Sequence, residues 1–245
     1  MPAITTLSSQ PRAVLFDAYG TLFDVYSVAE LAETLFPGQG LALGQLWRDK
    51  QIEYTRLVTT CNHGMHYRPF SELTQAALVF AIRKLVAPEA GEALSDDFEP
   101  EIALLLAQYR HLEPFPENLA VLQQLKARGV PTGILSNGDA GMLSDVTRSA
   151  GFDSLLDHVI SVDAVRRFKT HPSAYALGET TLGLPAKDIL FVSSNAWDAL
   201  GATWFGYQTV WVNRAGLPFE ELGTRPSHTG NSLRAVLDFF PADNT

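Results

Sequence analysis

Ala13-Val14-Leu15-Phe16 is an unbroken apolar run, and Asp17-Ala18-Tyr19-Gly20-Thr21 follows it at once. Apolar residues without alternation suit a strand buried on both faces, as in a parallel sheet. The glycine fits a tight turn out of that strand. Three further runs repeat the pattern. Gly133-Ile134-Leu135 ends in Ser136-Asn137-Gly138, Ile189-Leu190-Phe191-Val192 ends in Ser193-Ser194-Asn195, and Thr209-Val210-Trp211-Val212 ends in Asn213-Arg214. A weaker fifth run covers residues 158–162. Helix-like segments lie between them at 116–128, 141–150, 172–182 and 197–205, each followed by a glycine that fits a left-handed C-cap. This strand–helix alternation predicts an α/β fold with a Rossmann-like parallel-sheet core.

Residues 27–111 break the alternation. Leu43, Leu46, Trp47, Tyr54, Leu57 and Val58 recur at helical spacing, residues 70–86 and 98–109 are also helix-like, and no strand pattern intervenes. We read residues 27–111 as an inserted helical cap, and residues 1–26 and 112–245 as the α/β core. Residues 1–11 read as a loose leader, and 216–245 as a closing segment with one short helix near 232–240.

The composition excludes several classes of function. In 245 residues there are 18 Lys+Arg against 27 Asp+Glu, a formal net charge of -9. That balance argues against a nucleic-acid binder with a broad basic surface and leaves no polybasic patch for membranes. An anionic substrate stays compatible, because a few buried cations make a local positive pocket. The single cysteine, Cys61, allows no intramolecular disulfide and fits a cytoplasmic setting. Residues 1–10 lack a signal-peptide pattern, and no apolar run reaches the ~18–20 residues of a membrane span. The six histidines fall in no HExxH or similar metal-ligand spacing.

In an open parallel sheet, ligands bind at the carboxyl ends of the strands. Here those ends carry Asp17 and Thr21, Ser136 and Asn137, then Ser193, Ser194 and Asn195, with Asp198 close behind. Singly, each also reads as an ordinary turn or cap residue. Together they read as a site. Asp17 is the sharpest signal. A carboxylate at the end of a buried strand needs hydrogen-bond partners, which the following turn and Thr21 can supply, and it is then fixed for use as a nucleophile.

The stretch from Phe16 to Asp24 resembles the first motif of the haloacid dehalogenase superfamily. Leu135-Ser136-Asn137-Gly138 is similar to its second motif, Lys169 to its third-motif lysine, and Ser193-Ser194-Asn195-Ala196-Trp197-Asp198 to its fourth. The resemblance implies a haloacid dehalogenase-like core with a cap. Most of that superfamily are magnesium-dependent phosphatases carrying a second aspartate two residues after the nucleophile, where it protonates a leaving alkoxide. Tyr19 stands there instead. A halide mostly leaves without a proton, so this exchange favours halide displacement over phosphoryl transfer. It also weakens a magnesium site, although the main-chain carbonyl of residue 19 would remain as a ligand.

Leu46-Trp47-Arg48-Asp49-Lys50-Gln51-Ile52-Glu53-Tyr54-Thr55 resembles the cap-helix motif of one branch, the L-2-haloacid dehalogenases. That resemblance implies cofactor-free hydrolysis of short L-2-haloalkanoic acids, fluoroacetate within the range considered, to D-2-hydroxy acids and halide. Asp17 would form an ester at C2 with inversion, and water would then free the product. Nucleophile and substrate are both carboxylates, and two unit charges ~4 Å apart repel by about 4 kcal/mol at an effective dielectric of ~20. The resemblance assigns the offsetting cations to Lys169, which would hold Asp17 ionised, and Arg48, which would bind halide or substrate carboxylate. It places Ser136 and Asn137 on the substrate carboxylate and Thr21 on Asp17. Ser193 and Asn195 fall around Asp17 and the water, Asp198 with Lys169 as water activator, and Tyr175 in the same network. Tyr19 and Trp197 become apolar walls. Asp49 is expected to pair with Arg48, and His171 to be a loop residue. A homodimer is the family expectation. The alternatives are a magnesium-dependent phosphatase or phosphomutase of the same fold, and a non-catalytic binding protein on the same scaffold.

Overall fold

β1 (Ala13–Phe16) lies inside a six-stranded sheet with β2 (Thr132–Ser136), β3 (His158–Ser161), β4 (Ile189–Ser193), β5 (Gln208–Val212) and β6 (His228–Gly230). The strand order is β3-β2-β1-β4-β5-β6, and every pairing is parallel. This computed structural model describes residues 10–87 and 98–241. The leader expected at residues 1–11 falls almost wholly outside them.

The continuous apolar runs are explained by burial. All four residues of β1 and the apolar residues of β4 have no exposed surface. The chain builds outward from β1 through β2 to β3 on one side, then crosses to β4 on the other. The strand order therefore reverses beside β1, where a sheet of this kind leaves a crevice at its carboxyl edge. β6 has no apolar signature and sits at the sheet edge, so the sequence pattern does not reveal it. The expected closing helix is a 3-10 segment over Leu233–Phe239.

Between β1 and β2 the chain forms a block of helices: α1 (Ala29–Leu35), α2 (Gly40–Thr60), α3 (Phe70–Leu85) and α4 (Glu99–Tyr109). α1 is short and has no side-chain N-cap, and nothing in the sequence marked it. The chain leaves the core and returns to it side by side. Asp24 N–H donates to Glu113 O at 2.8 Å, Phe115 N–H donates to Leu22 O at 3.2 Å, and Phe23 forms an antiparallel bridge with Pro114.

α2 has two working faces. Leu43, Trp47, Gln51, Thr55 and Thr59, four residues apart, are buried within the block. Trp47 Nε1 donates to Thr74 O at 2.8 Å, Gln51 Nε2 to Thr74 Oγ1 at 3.0 Å, and the Tyr109 hydroxyl to Gln51 Oε1 at 3.1 Å. The next stripe, Arg48, Ile52, Arg56 and Thr60, faces the sheet edge. The core helices are α5 (Asn118–Ala127), α6 (Ala140–Ser149), α7 (Pro172–Leu182) and α8 (Ala196–Phe205). They match the predicted segments to within about two residues. One apolar cluster joins block and core, with the Tyr19 ring 5.5 Å from both Phe70 and Tyr109.

Candidate active site

Asp17 is the first residue beyond β1, and Gly20 turns the chain behind it at φ 89°, a conformation that side-chain-bearing residues rarely adopt. Three donors converge on the Asp17 carboxylate. Lys169 Nζ lies 3.0 Å from Oδ1, while Asn195 Nδ2 at 2.8 Å and Thr21 Oγ1 at 3.1 Å reach Oδ2. Thr21 Oγ1 itself accepts the Ser194 N–H at 2.8 Å, which leaves its own proton for Asp17.

Lys169 comes from the turn before α7. Its backbone N–H donates to Asn137 Oδ1 at 2.9 Å, and its side chain is fully buried. Its ammonium lies between two carboxylates, 3.0 Å from Asp17 Oδ1 and 3.0 Å from Asp198 Oδ2. Asp198 stands in the first turn of α8, and its Oδ1 accepts the Tyr175 hydroxyl at 2.8 Å. Burial raises the Asp198 carboxyl to about 6, and the charge of Asp17 pushes the same way against Lys169 and Tyr175. Burial, then the charge of Asp198, raises the Tyr175 phenol well above its ordinary value, so it remains a donor.

A cavity of about 600 Å³ opens between α2 and the strand tips. Arg48, Ile52, Arg56 and Thr60 form one wall, and Gly20, Asn195, Trp197 and Leu217 face them. Arg48 Nη2 donates to Tyr19 O at 3.2 Å and to Asn195 Oδ1 at 3.3 Å. Arg48 thus lies over the floor of the cavity, with Asn195 between it and the Asp17 carboxylate.

Asp17, Thr21, Lys169, Tyr175, Asn195 and Asp198 therefore form one bonded network, and Arg48 joins it through Asn195. Ser193 Oγ accepts the Asn195 backbone N–H at 3.1 Å, so it holds the main chain that carries Asn195 instead of bonding Asp17. Ser136 Oγ accepts the Gly138 N–H at 3.1 Å, and Asn137 Oδ1 faces Lys169, so both side-chain oxygens sit on the protein's own backbone. Trp197 lines the cavity, whereas the Tyr19 ring lies in the block–core interface at 2% exposure. Gly138 makes room for that ring: a Cβ there would stand 2.8 Å from it. The hydrogen bonds of Arg48 run to Tyr19 and Asn195, not to Asp49, since adjacent helical residues point apart. His171 is a helix cap, its Nδ1 accepting the Ser173 N–H at 3.2 Å.

Arg214 escaped the sequence reading. Its Nη1 donates to Ser194 Oγ at 2.8 Å, its Nη2 to Thr21 O at 3.2 Å, and it pairs with Glu117 at 2.9 Å. It thus braces the loop that carries Thr21. The only signal was its place at the tip of β5.

The model of the haloacid dehalogenase-like hydrolase family matches residues 11–206. The (S)-2-haloacid dehalogenase of Pseudomonas sp. (strain YL) is 43% identical over 229 residues, 94% of this chain and 94% of that protein. The crystal structure of an L-2-haloacid dehalogenase superposes with a TM-score of 0.88 at 51% identity, covering 96% of this chain and 100% of its own. The L-2-haloacid dehalogenase of Xanthobacter autotrophicus, solved with chloropropionic acid covalently bound, superposes with a TM-score of 0.82 at 34% identity, covering 95% of this chain and 100% of its own.

Proposed function

The chain belongs to the haloacid dehalogenase-like hydrolase family, and from that membership we propose that it hydrolyses short L-2-haloalkanoic acids to D-2-hydroxy acids and halide. The observation that carries this reading is the Asp17 carboxylate under three donors, with Tyr19 two residues on in place of a second acid.

Oδ2 of Asp17 accepts two hydrogen bonds and Oδ1 accepts one, so Oδ1 keeps a free lone pair. In our reading Oδ1 attacks C2 from the side opposite the halogen, and the carbon–halogen bonding pair leaves with the halide. Oδ2 becomes the ester carbonyl. Water then attacks Cγ of Asp17 and gives its proton to Asp198. The charge gathering on Oδ2 meets Thr21 and Asn195, donors already in place. Collapse breaks the bond between Cγ and Oδ1. The proton passes from Asp198 to the departing alkoxide, which leaves as the 2-hydroxy acid, and the second proton of the water, left on the Asp17 carboxyl, goes to solvent and restores the carboxylate. C2 is inverted once. Arg48 offsets the charge of the substrate, and Trp197 and Ile52 offer it apolar surface.

The same proposal treats residues 27–111 as the cap. The paired passage of residues 22–24 beside 113–115 supports a boundary at that point. A homodimer and a cytoplasmic location complete it. Leu41, Met65 and Leu104, exposed on the helical block, support a contact there, and the lone Cys61 supports a reducing compartment.

The test is halide release in EDTA from chloroacetate, fluoroacetate and both enantiomers of 2-chloropropionate, for wild type and Asp17→Asn. Release by wild type alone, selective for the L-enantiomer, is expected. Absence of release together with Mg²⁺-dependent hydrolysis of phosphate esters would replace this reading with the phosphatase one.

A further inference from the structure

A second cavity, of about 490 Å³, adjoins the first. Arg56 and Thr60 line both. Its other walls are Thr59, His63, Arg167, Lys169, Thr170, His171 and Pro172, and no carboxylate among the described residues lines it. The first cavity differs, because Asp49 and Glu53 stand in its wall beside Arg48 and Arg56. In a chain of net charge -9, the second cavity is a local reversal of sign.

Neither arginine there forms an ion pair among the described residues. Arg56 is exposed, makes no ion pair among the described residues, and holds its guanidinium 5.5 Å from the centre of the Trp197 ring. Arg167 donates to the carbonyls of Arg166 and His63, which orient its guanidinium without neutralising it. Elsewhere Arg68, Arg110, Arg214 and Arg225 each pair with a carboxylate, while Arg128 and Arg148 bond neutral oxygens. Arg56 also stands two helical turns from Arg48 on one stripe of α2, with Ile52 between them. The cations thus form a series, Arg167, Arg56, Arg48, that ends over Asn195 and Asp17.

We propose that this second cavity is a staging site for the substrate carboxylate, in which Arg167 and Arg56 collect the 2-haloacid anion and Arg56 hands it past Trp197 to Arg48. The inference rests on the proposed dehalogenase activity for its substrate, but its geometry stands on the two cavities alone. A uniformly acidic surface would repel a small carboxylate, and an uncompensated pair of guanidinium groups at one opening reverses that locally. Arg56 holds the anion and passes it on without touching the reacting atoms, so it should govern capture and not chemistry.

The experiment compares wild type, Arg56→Gln and Arg225→Gln, the last a control that removes the same charge from the distant Arg225–Glu221 pair. With L-2-chloropropionate, Arg56→Gln should raise KM about 3–10-fold at an ionic strength of ~20 mM with kcat within about twofold, and the rise should shrink below about twofold at ~0.5 M. Arg225→Gln should leave KM unchanged. An equal rise in both variants would trace the effect to net charge and overturn the proposal, as would a rise that persists at high salt. A second readout needs no turnover. Titration of Asp17→Asn with propionate, with and without Arg56→Gln, should show weaker binding when Arg56 is replaced. That loss without halide release from wild type would keep the staging site and sink the dehalogenase reading. Halide release with unchanged propionate affinity would do the reverse.

Discussion

The main-chain carbonyl of Tyr19 accepts a hydrogen bond from Arg48 Nη2 at 3.2 Å. The guanidinium comes from the helical block and the carbonyl from the turn behind Asp17, so the block and the core meet at the proposed active site. Asn195 Nδ2 reaches the same carbonyl at 3.1 Å. The sequence left that oxygen open as a magnesium ligand. With two donors on it, both lone pairs are engaged, and the group that would hold a metal in a phosphatase holds an arginine instead.

Replacing Arg48 should therefore damage turnover in a way that metal does not repair. Arg48→Ala should lower kcat/KM by about 10²–10³, the usual cost of one preorganised charged donor. Arg48→Lys should recover part of that loss, because both bonds come from the single nitrogen Nη2 and an ammonium carries enough donors for both acceptors. Steady-state halide release with and without Mg²⁺ checks both points. Activity that returned with Mg²⁺ would contradict the assignment.

Lys169 carries a large stability consequence. It is fully buried between Asp17 and Asp198, so Lys169→Met leaves two carboxylates facing each other with no cation between. Breaking a buried pair in this way costs ~3–5 kcal/mol, a fall in Tm of about 10 °C for a chain this size. The double variant Lys169→Met/Asp17→Asn should recover part of that loss. Denaturation curves for Lys169→Met, Asp17→Asn and the double variant measure the recovery, and strict additivity would show that the two residues are uncoupled.

The pH profile should report Asp198. Burial raises its carboxyl to about 6, and it must be ionised to accept a proton from water. Ester hydrolysis, and kcat where that step limits, should rise from pH 5 to pH 7 around this value. Asp198→Asn should remove the limb and lower kcat by about 10²–10⁴. Stability runs the other way. A carboxyl raised from ~3.9 in the unfolded chain stabilises the fold fully below that pH and loses the contribution as pH rises through about 6. The wild type should lose Tm across that window, and Asp198→Asn should not.

The core was readable because burial writes itself into the sequence. A strand covered on both faces must be apolar throughout, so β1, β2, β4 and β5 stood out, and their polar tips marked the site edge. β6 did not, since its three residues sit at the sheet edge and two of them are exposed. Among site residues, Asp17, Thr21, Asn195 and Asp198 were legible at the strand tips and Lys169 and Tyr175 only through the family resemblance, and the structure joins them by hydrogen bonds. The side chains of Ser136, Asn137 and Ser193 were harder to place. A hydroxyl or amide at a strand tip reads the same whether it faces a ligand or the next N–H. Arg214 was missed because its partners Glu117 and Ser194 are 97 and 20 residues away, beyond any local pattern.

Tyr19 gives a prediction that separates its ring from its hydroxyl. The ring packs between Phe70 and Tyr109, and the hydroxyl is buried without a hydrogen-bond partner among the described residues. Burial pushes its pKa well above the ordinary phenol value, with the neighbouring Tyr109 and Asp139 adding to the rise. An unsatisfied buried hydroxyl costs the fold ~1–3 kcal/mol. Tyr19→Phe removes that cost and keeps the ring contacts, so it should raise Tm by about 2–4 °C for each kcal/mol regained. The main-chain carbonyl that Arg48 and Asn195 use is untouched, and kcat should stay within about twofold. Tyr19→Ala, by contrast, removes the ring that fills the block–core interface and should destabilise by ~3–5 kcal/mol, as large aromatic truncations do. If Tyr19→Phe instead lost activity at unchanged Tm, the hydroxyl would belong to the chemistry and not to the packing.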